Sequence, residues 1–111
     1  MIPQIWVRRA ELYLTISRGE VDEKTYQYYG RLACDALTAA IEAEAYANIP
    51  HYSYLGGKKF GYAGDTVGSV ALYMRATFFS KTRAKDLEEL KTKFPDSPST
   101  VKALRELQSA R

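Results

Sequence analysis

The sequence predicts an all-α protein: a bundle of four helices, five if the third divides near Thr82, with one long Tyr- and Gly-rich loop. Three observations predict it. Apolar residues recur at intervals of three and four through most of the chain, and no segment sustains the two-residue alternation of a half-buried strand. Proline and glycine fall mainly in two clusters, near residues 50–64 and 95–98, that separate the periodic stretches. One stretch, Asp22 to Asn48, has no proline and a single glycine, and as a helix it would be about 40 Å long. The 111 residues make one domain, predicted as helices over about 3–18, 22–48, 65–94 and 98–110 with a loop over 49–64.

The first helix carries Pro3 in its first turn, where a missing N–H costs nothing. Ile5, Leu12 and Ile16 form the predicted core stripe, flanked by Ile2, Trp6 and Tyr13. Arg9 falls on the same stripe, its stem packing and its head reaching solvent. Gly19 closes this helix, and the tight turn Arg18-Gly19-Glu20-Val21 makes an antiparallel hairpin with the second.

The second helix is read as the spine. Asp22 is its N-cap and Glu23 complements the dipole, while Asn48 and Pro50 supply a stop. Tyr26, Ala33, Leu37, Ala40 and Ile41 share an inward face, opposite Lys24, Tyr28, Asp35, Glu42 and Tyr46. Cys34, the sole cysteine, lies beside that face as a small hydrophobe and excludes an internal disulfide. The far end of the helix overhangs the first. Glu44 there is either a solvated helix end or a partner for Lys58, Lys59 or Arg75.

Asp65 or Thr66 caps the third helix, which is apolar on two sides. Val67, Val70, Met74 and Phe78 mark one face, and Leu72, Ala76, Phe79, Leu87, Leu90 and Phe94 nearly the opposite one. A helix of that kind lies between two partners, and one would be a second copy of the chain, met through Val70, Met74 and Phe78. Pro95-Asp96-Ser97-Pro98 breaks the helix, and Ser97 with Pro98 starts the last one, with Val101, Leu104 and Leu107 inward.

Composition narrows function by exclusion. No apolar run approaches the roughly 18 residues of a membrane span, and Met1-Ile2-Pro3-Gln4 does not read as a secretory signal, so a cytoplasmic protein is expected. His51 is the only histidine, no carboxylates cluster at ligand spacing, and Gly56-Gly57-Lys58-Lys59 lacks the spacing and the preceding strand of a phosphate-binding loop. No catalytic constellation, metal site, cofactor or small-molecule substrate is therefore predicted. Net charge is +3, compatible with a polyanionic partner.

The loop is the compositional oddity. Four of nine tyrosines, Tyr46, Tyr52, Tyr54 and Tyr62, sit in or beside it. Its basic and aromatic residues Lys58, Lys59, Tyr54, Phe60 and Tyr62 would suit phosphate contact with base stacking. Packing over the overhanging helix or at a subunit interface is the competing use for its tyrosines. Further predicted contacts to DNA or RNA are Lys81, Arg83 and Lys85 on the third helix and Lys102 and Arg105 on the last.

Two resemblances add to this reading. Asp86 to Gln108, DLEELKTKFPDSPSTVKALRELQ, resembles the helix-turn-helix of transcription regulators. Leu87, Leu90, Phe94, Val101 and Leu104 fall at its core spacings, and the likeness implies that Ser99, Thr100, Lys102 and Arg105 face a major groove. Lys91 stands where a small residue is usual, and Pro95 where the turn usually has glycine. The first two helices resemble small archaeal HEPN and PaREP-type bundles. Ribonucleases of the HEPN class carry an arginine four to six residues before a histidine, and no arginine precedes His51 at that distance. The resemblance thus implies a non-catalytic bundle. The combined expectation is a non-enzymatic, self-associating helical protein that contacts nucleic acid. Alternatives are a helix-turn-helix regulator, a coat or nucleoprotein subunit in a virion, and a HEPN-like toxin–antitoxin component.

Overall fold

The computed structural model describes residues 3–19, 22–43, 53–55 and 58–108. In chain order these form α1 (Pro3–Gly19), α2 (Glu23–Glu42), β1 (Ser53–Leu55), β2 (Lys58–Phe60), α3 (Val67–Phe78), α4 (Ser80–Lys93) and α5 (Pro98–Ala103), which runs into a π-helical segment, Leu104–Gln108. The protein is all-α. Glu44, Tyr46, Asn48, Pro50, His51 and Tyr52 lie outside the described residues.

Local chemistry sets most of the boundaries. The Asp22 carboxylate accepts from the Thr25 N–H at 3.4 Å and its hydroxyl at 2.8 Å, opening α2. Thr66, not Asp65, caps α3, in a reciprocal box with Ser69. The predicted third helix divides at Phe79 rather than near Thr82. Phe79 has extended backbone angles, φ −130° and ψ 101°, so α4 starts afresh at Ser80. Within the predicted loop, β1 and β2 pair antiparallel, Ser53 with Phe60, Tyr54 with Lys59 and Leu55 with Lys58. Strands of three residues are too short to show as an alternating pattern.

The fold is organised around α3, not α2 as predicted. Every residue from Val67 to Ala76 is buried. Both apolar faces of α3 are covered from within one chain: Val70 and Met74 are fully enclosed and have no surface to offer a second copy. Of the predicted interface residues, only Phe78 keeps some exposure. α2 does present Ala33, Leu37 and Ala40 inward, joined by Ala36, whereas Tyr26 stays half-exposed.

α1 turns the opposite way from expectation. Its buried residues are Val7, Ala10, Leu14 and Ser17, while Ile5, Leu12 and Ile16 are 41%, 58% and 36% exposed. The physical reason is approach distance. Alanines on both helices and Ser17, whose hydroxyl donates to the Tyr26 carbonyl at 2.8 Å, let the α1 and α2 backbones pack closely; a leucine and isoleucine stripe would hold them apart. Arg9 stands outside with that stripe, its guanidinium 5.2 Å from the centre of the Trp6 ring.

A buried ion pair braces the corner between α3 and α4. Arg75 Nε donates to both Asp86 oxygens at 3.0 and 3.1 Å, and Nη2 to Oδ1 at 2.6 Å. Nη1 donates to the Thr38 hydroxyl at 2.9 Å, which brings α2 into the same network. Burial alone would lower the Arg75 pKa, but its bonds to Asp86 outweigh that and hold it above the usual value. Arg83 Nε then caps the open end of α3 by donating to the Ala76 carbonyl at 2.7 Å. Asp86→Ala would leave a buried guanidinium unpaired and should cost about 3–5 kcal/mol in chemical denaturation. A loss below about 1 kcal/mol would show that water replaces the carboxylate freely.

Candidate nucleic-acid interface

The candidate interface is built where the hairpin meets α5, and one buried carboxylate fixes the junction. Asp65 Oδ2 accepts from the Tyr62 N–H at 2.8 Å. Asp65 Oδ1 accepts from the Ser69 hydroxyl at 3.1 Å, from the Ser99 N–H at 2.9 Å and from the Ser97 hydroxyl. A single side chain thus ties the segment leaving β2, the start of α3 and the start of α5 together. Gly64 makes the turn possible: its φ of +102° suits glycine, and a Cβ there would already touch Pro98 at 3.5 Å.

This clamp sets Tyr62 beside α5. Lys59 Nζ, from β2, lies 4.6 Å from the centre of the Tyr62 ring, and Lys102 Nζ, from α5, lies 4.8 Å from it. Both distances suit cation–π attraction, and they keep the two ammonium groups within about 10 Å of one another. Arg105 is exposed one turn further along. Lys58, on the neighbouring position of β2, is held differently. Its ammonium donates to Glu106 at 3.0 and 3.2 Å and sits over the Phe60 and Tyr73 rings. The Tyr73 hydroxyl donates to the same carboxylate. Burial and that bond to an anion push the Tyr73 hydroxyl far above its ordinary value. Burial raises the Glu106 pKa, but the bonds from Tyr73 and Lys58 prevail and hold it below the usual carboxylate range.

The structure therefore brings together Lys58, Lys59, Tyr62 and Lys102 from the sequence-predicted set, with Arg105 alongside. Others go elsewhere. Phe60 is fully buried, with ring centres 5.0 Å from Tyr73 and 5.7 Å from Phe78, and cannot present a face for stacking. Tyr54 is placed by its backbone, paired with Lys59; its side chain lies outside the described residues. Arg83 is engaged in capping α3. Lys81 and Lys85 are exposed on α4, and Lys81 lines a separate hollow against α2.

The last helix keeps Leu104 and Leu107 against the core as predicted, but not Val101. Ser99 and Thr100 are buried, Thr100 donating to the Phe94 carbonyl at 2.6 Å, while Val101 is 57% exposed. Ser99 and Thr100 thus face the protein, not a groove in DNA. Three participants went unread in the sequence: Asp65 as a clamp, Glu106 and Tyr73. Nothing local links residue 65 to 97–99 or residue 58 to 106, so only the fold could show these contacts.

Chemically, the patch can hold anionic oxygens at two or three ammonium groups beside an aromatic ring. Among the described residues no three His, Cys, Asp or Glu side chains gather as a metal site.

Because the Glu106 pKa is lowered by folding, its contribution to stability is present above the ordinary carboxylate value, about 4.3, and is lost as pH falls through the folded value. Wild type should thus be more stable than Glu106→Gln at pH 7, and the difference should fade below about pH 4 in urea titrations. A difference independent of pH would show that shape, not charge, holds this contact. In comparisons with family models, with curated proteins and with solved structures, nothing matches this chain.

Proposed function

We propose that the chain is a non-enzymatic binding protein that holds nucleic acid through its phosphates at the patch formed by Lys59, Tyr62 and Lys102. The observation that carries this reading is the convergence of two lysines, from β2 and from α5, on one tyrosine ring. Charges fixed on two elements and anchored through the Asp65 clamp lose little freedom when a phosphate arrives. Lys58 has a carboxylate partner in Glu106, so it positions the hairpin more than it attracts a ligand. Tyr62 already has ammonium groups against it, and a base would stack there only by displacing one of them.

A second reading, self-association, is supported by a different surface from the one predicted. Ile5, Leu12 and Ile16 form an outward apolar stripe on α1. A protein that both assembles and binds phosphates without reading bases fits the nucleoprotein alternative better than the regulator.

Fluorescence anisotropy with a single-stranded oligonucleotide across a salt series tests the binding reading. Affinity should fall steeply with salt, and Lys59→Gln/Lys102→Gln should weaken binding to all sequences alike and flatten the log–log slope by about 1.4, the value for two lost contacts to a single strand. Native mass measurement on the same samples gives the stoichiometry. No binding at low salt, or an unchanged slope in the double variant, would overturn the proposal.

A further inference from the structure

We infer that the hollow between the α1–α2 hairpin and the α3–α4 corner binds a small organic anion with an apolar body, of the class of a medium-chain monocarboxylate. The hollow measures about 610 Å³, within the roughly 300–1,000 Å³ of small-molecule sites. It is separate from the Tyr62 patch and shares no lining residue with it.

Its walls are of two kinds. Leu14, Tyr26, Phe78 and Phe79 supply apolar surface. Phe79 reaches the hollow because the chain is extended there, between two helices. Arg31 from α2 and Lys81 from α4 supply charge from facing elements, and both are exposed. Neither makes a hydrogen bond or an ion pair among the described residues, in contrast to Arg75, Arg83 and Lys58. Among the described residues no aspartate or glutamate lines the space. The first turn of α4, at the same rim, has neither a side-chain cap nor an acidic residue, so its dipole adds to the positive field. Cys34, also in the lining, has its thiol pKa raised by burial, which keeps it neutral and adds no opposing charge.

These features select the ligand. Two cations that have no ion-pair partner among the described residues, with an uncapped helix start and no described carboxylate in the lining, favour an anion over a cation or a neutral molecule. The aromatic and aliphatic walls give nothing to a bare inorganic ion, but they desolvate a short hydrocarbon chain. The hollow is open to solvent on one side, and its volume of about 610 Å³ suits a small molecule. A carboxylate near Arg31 and Lys81, with its chain against Leu14 and Phe78, would use both the charged and the apolar parts of the lining.

Octanoate is the probe, titrated calorimetrically into the intact chain, with iodoacetamide labelling of Cys34 as a second readout. Octanoate should bind saturably at one site and slow the labelling, because Cys34 lines the hollow. Octanol has the same tail without the charge and should bind about tenfold or more weakly. Arg31→Gln/Lys81→Gln, at two exposed positions, should stay folded and lose about tenfold or more in octanoate affinity, and Cys34 protection should be lost with it. Absence of saturable binding at millimolar octanoate, equal binding of octanol, or undiminished binding by the double variant would each overturn the inference. None of these outcomes depends on whether the Tyr62 patch binds nucleic acid.

Discussion

A helix buried on every side obliges each polar group it carries to find a partner within the protein, and α3 imposes that constraint on this fold. An unpaired buried amide or hydroxyl costs several kcal/mol by about the same measure that drives apolar residues inward, and an unpaired charge costs more. α3 carries Ser69, Tyr73 and Arg75 among its buried residues, and Asp65 sits just before its start. Each is answered by a different element. Ser69 bonds Asp65, which also receives α5; Tyr73 bonds Glu106 in the π-helical segment; Arg75 bonds Asp86 of α4 and Thr38 of α2. The polar residues of the central helix thus act as the points at which the outer elements are fastened.

The candidate interface follows from the same arrangement. Lys59 and Lys102 belong to elements that Asp65 helps hold together, by fixing the Tyr62 turn against the start of α5. Glu106 repeats the device a few residues on, drawing Lys58 and the hairpin onto the C-terminal segment. Asp65, which is buried, and Glu106, at the surface, each hold the hairpin side of the patch to the C-terminal segment.

Much of the helical framework was legible in the sequence, because spacing and caps act locally. Asp22, Thr66 and the Ser97–Pro98 pair mark helix starts by short-range hydrogen bonding and fixed φ, and the inward face of α2 follows from Ala33, Leu37 and Ala40. α1 was misread because hydrophobicity favours Ile5, Leu12 and Ile16, whereas close helix packing favours Val7, Ala10 and Ser17. The two-sided pattern of α3 was visible, but a sequence cannot say whether its second cover comes from another copy or from the same chain. Lys58, Lys59 and Tyr62 are neighbours along the chain and could be grouped in advance. Lys102 and Glu106 join them only through contacts between residues 40 and 48 positions apart, which no local signal carries.

Native-state hydrogen exchange tests the central claim, that α3 is the buried spine on which the other elements depend. Amides from Val70 to Ala76 should exchange only through global unfolding, with protection free energies equal to the stability measured by urea. Those of α1, with its exposed apolar stripe, should open at lower free energy. If the α2 amides around Leu37 instead outlast those of α3, or if α3 exchanges well below the global value, the α1–α2 hairpin would be the stable unit, and the account of α3 as the organising element would be contradicted.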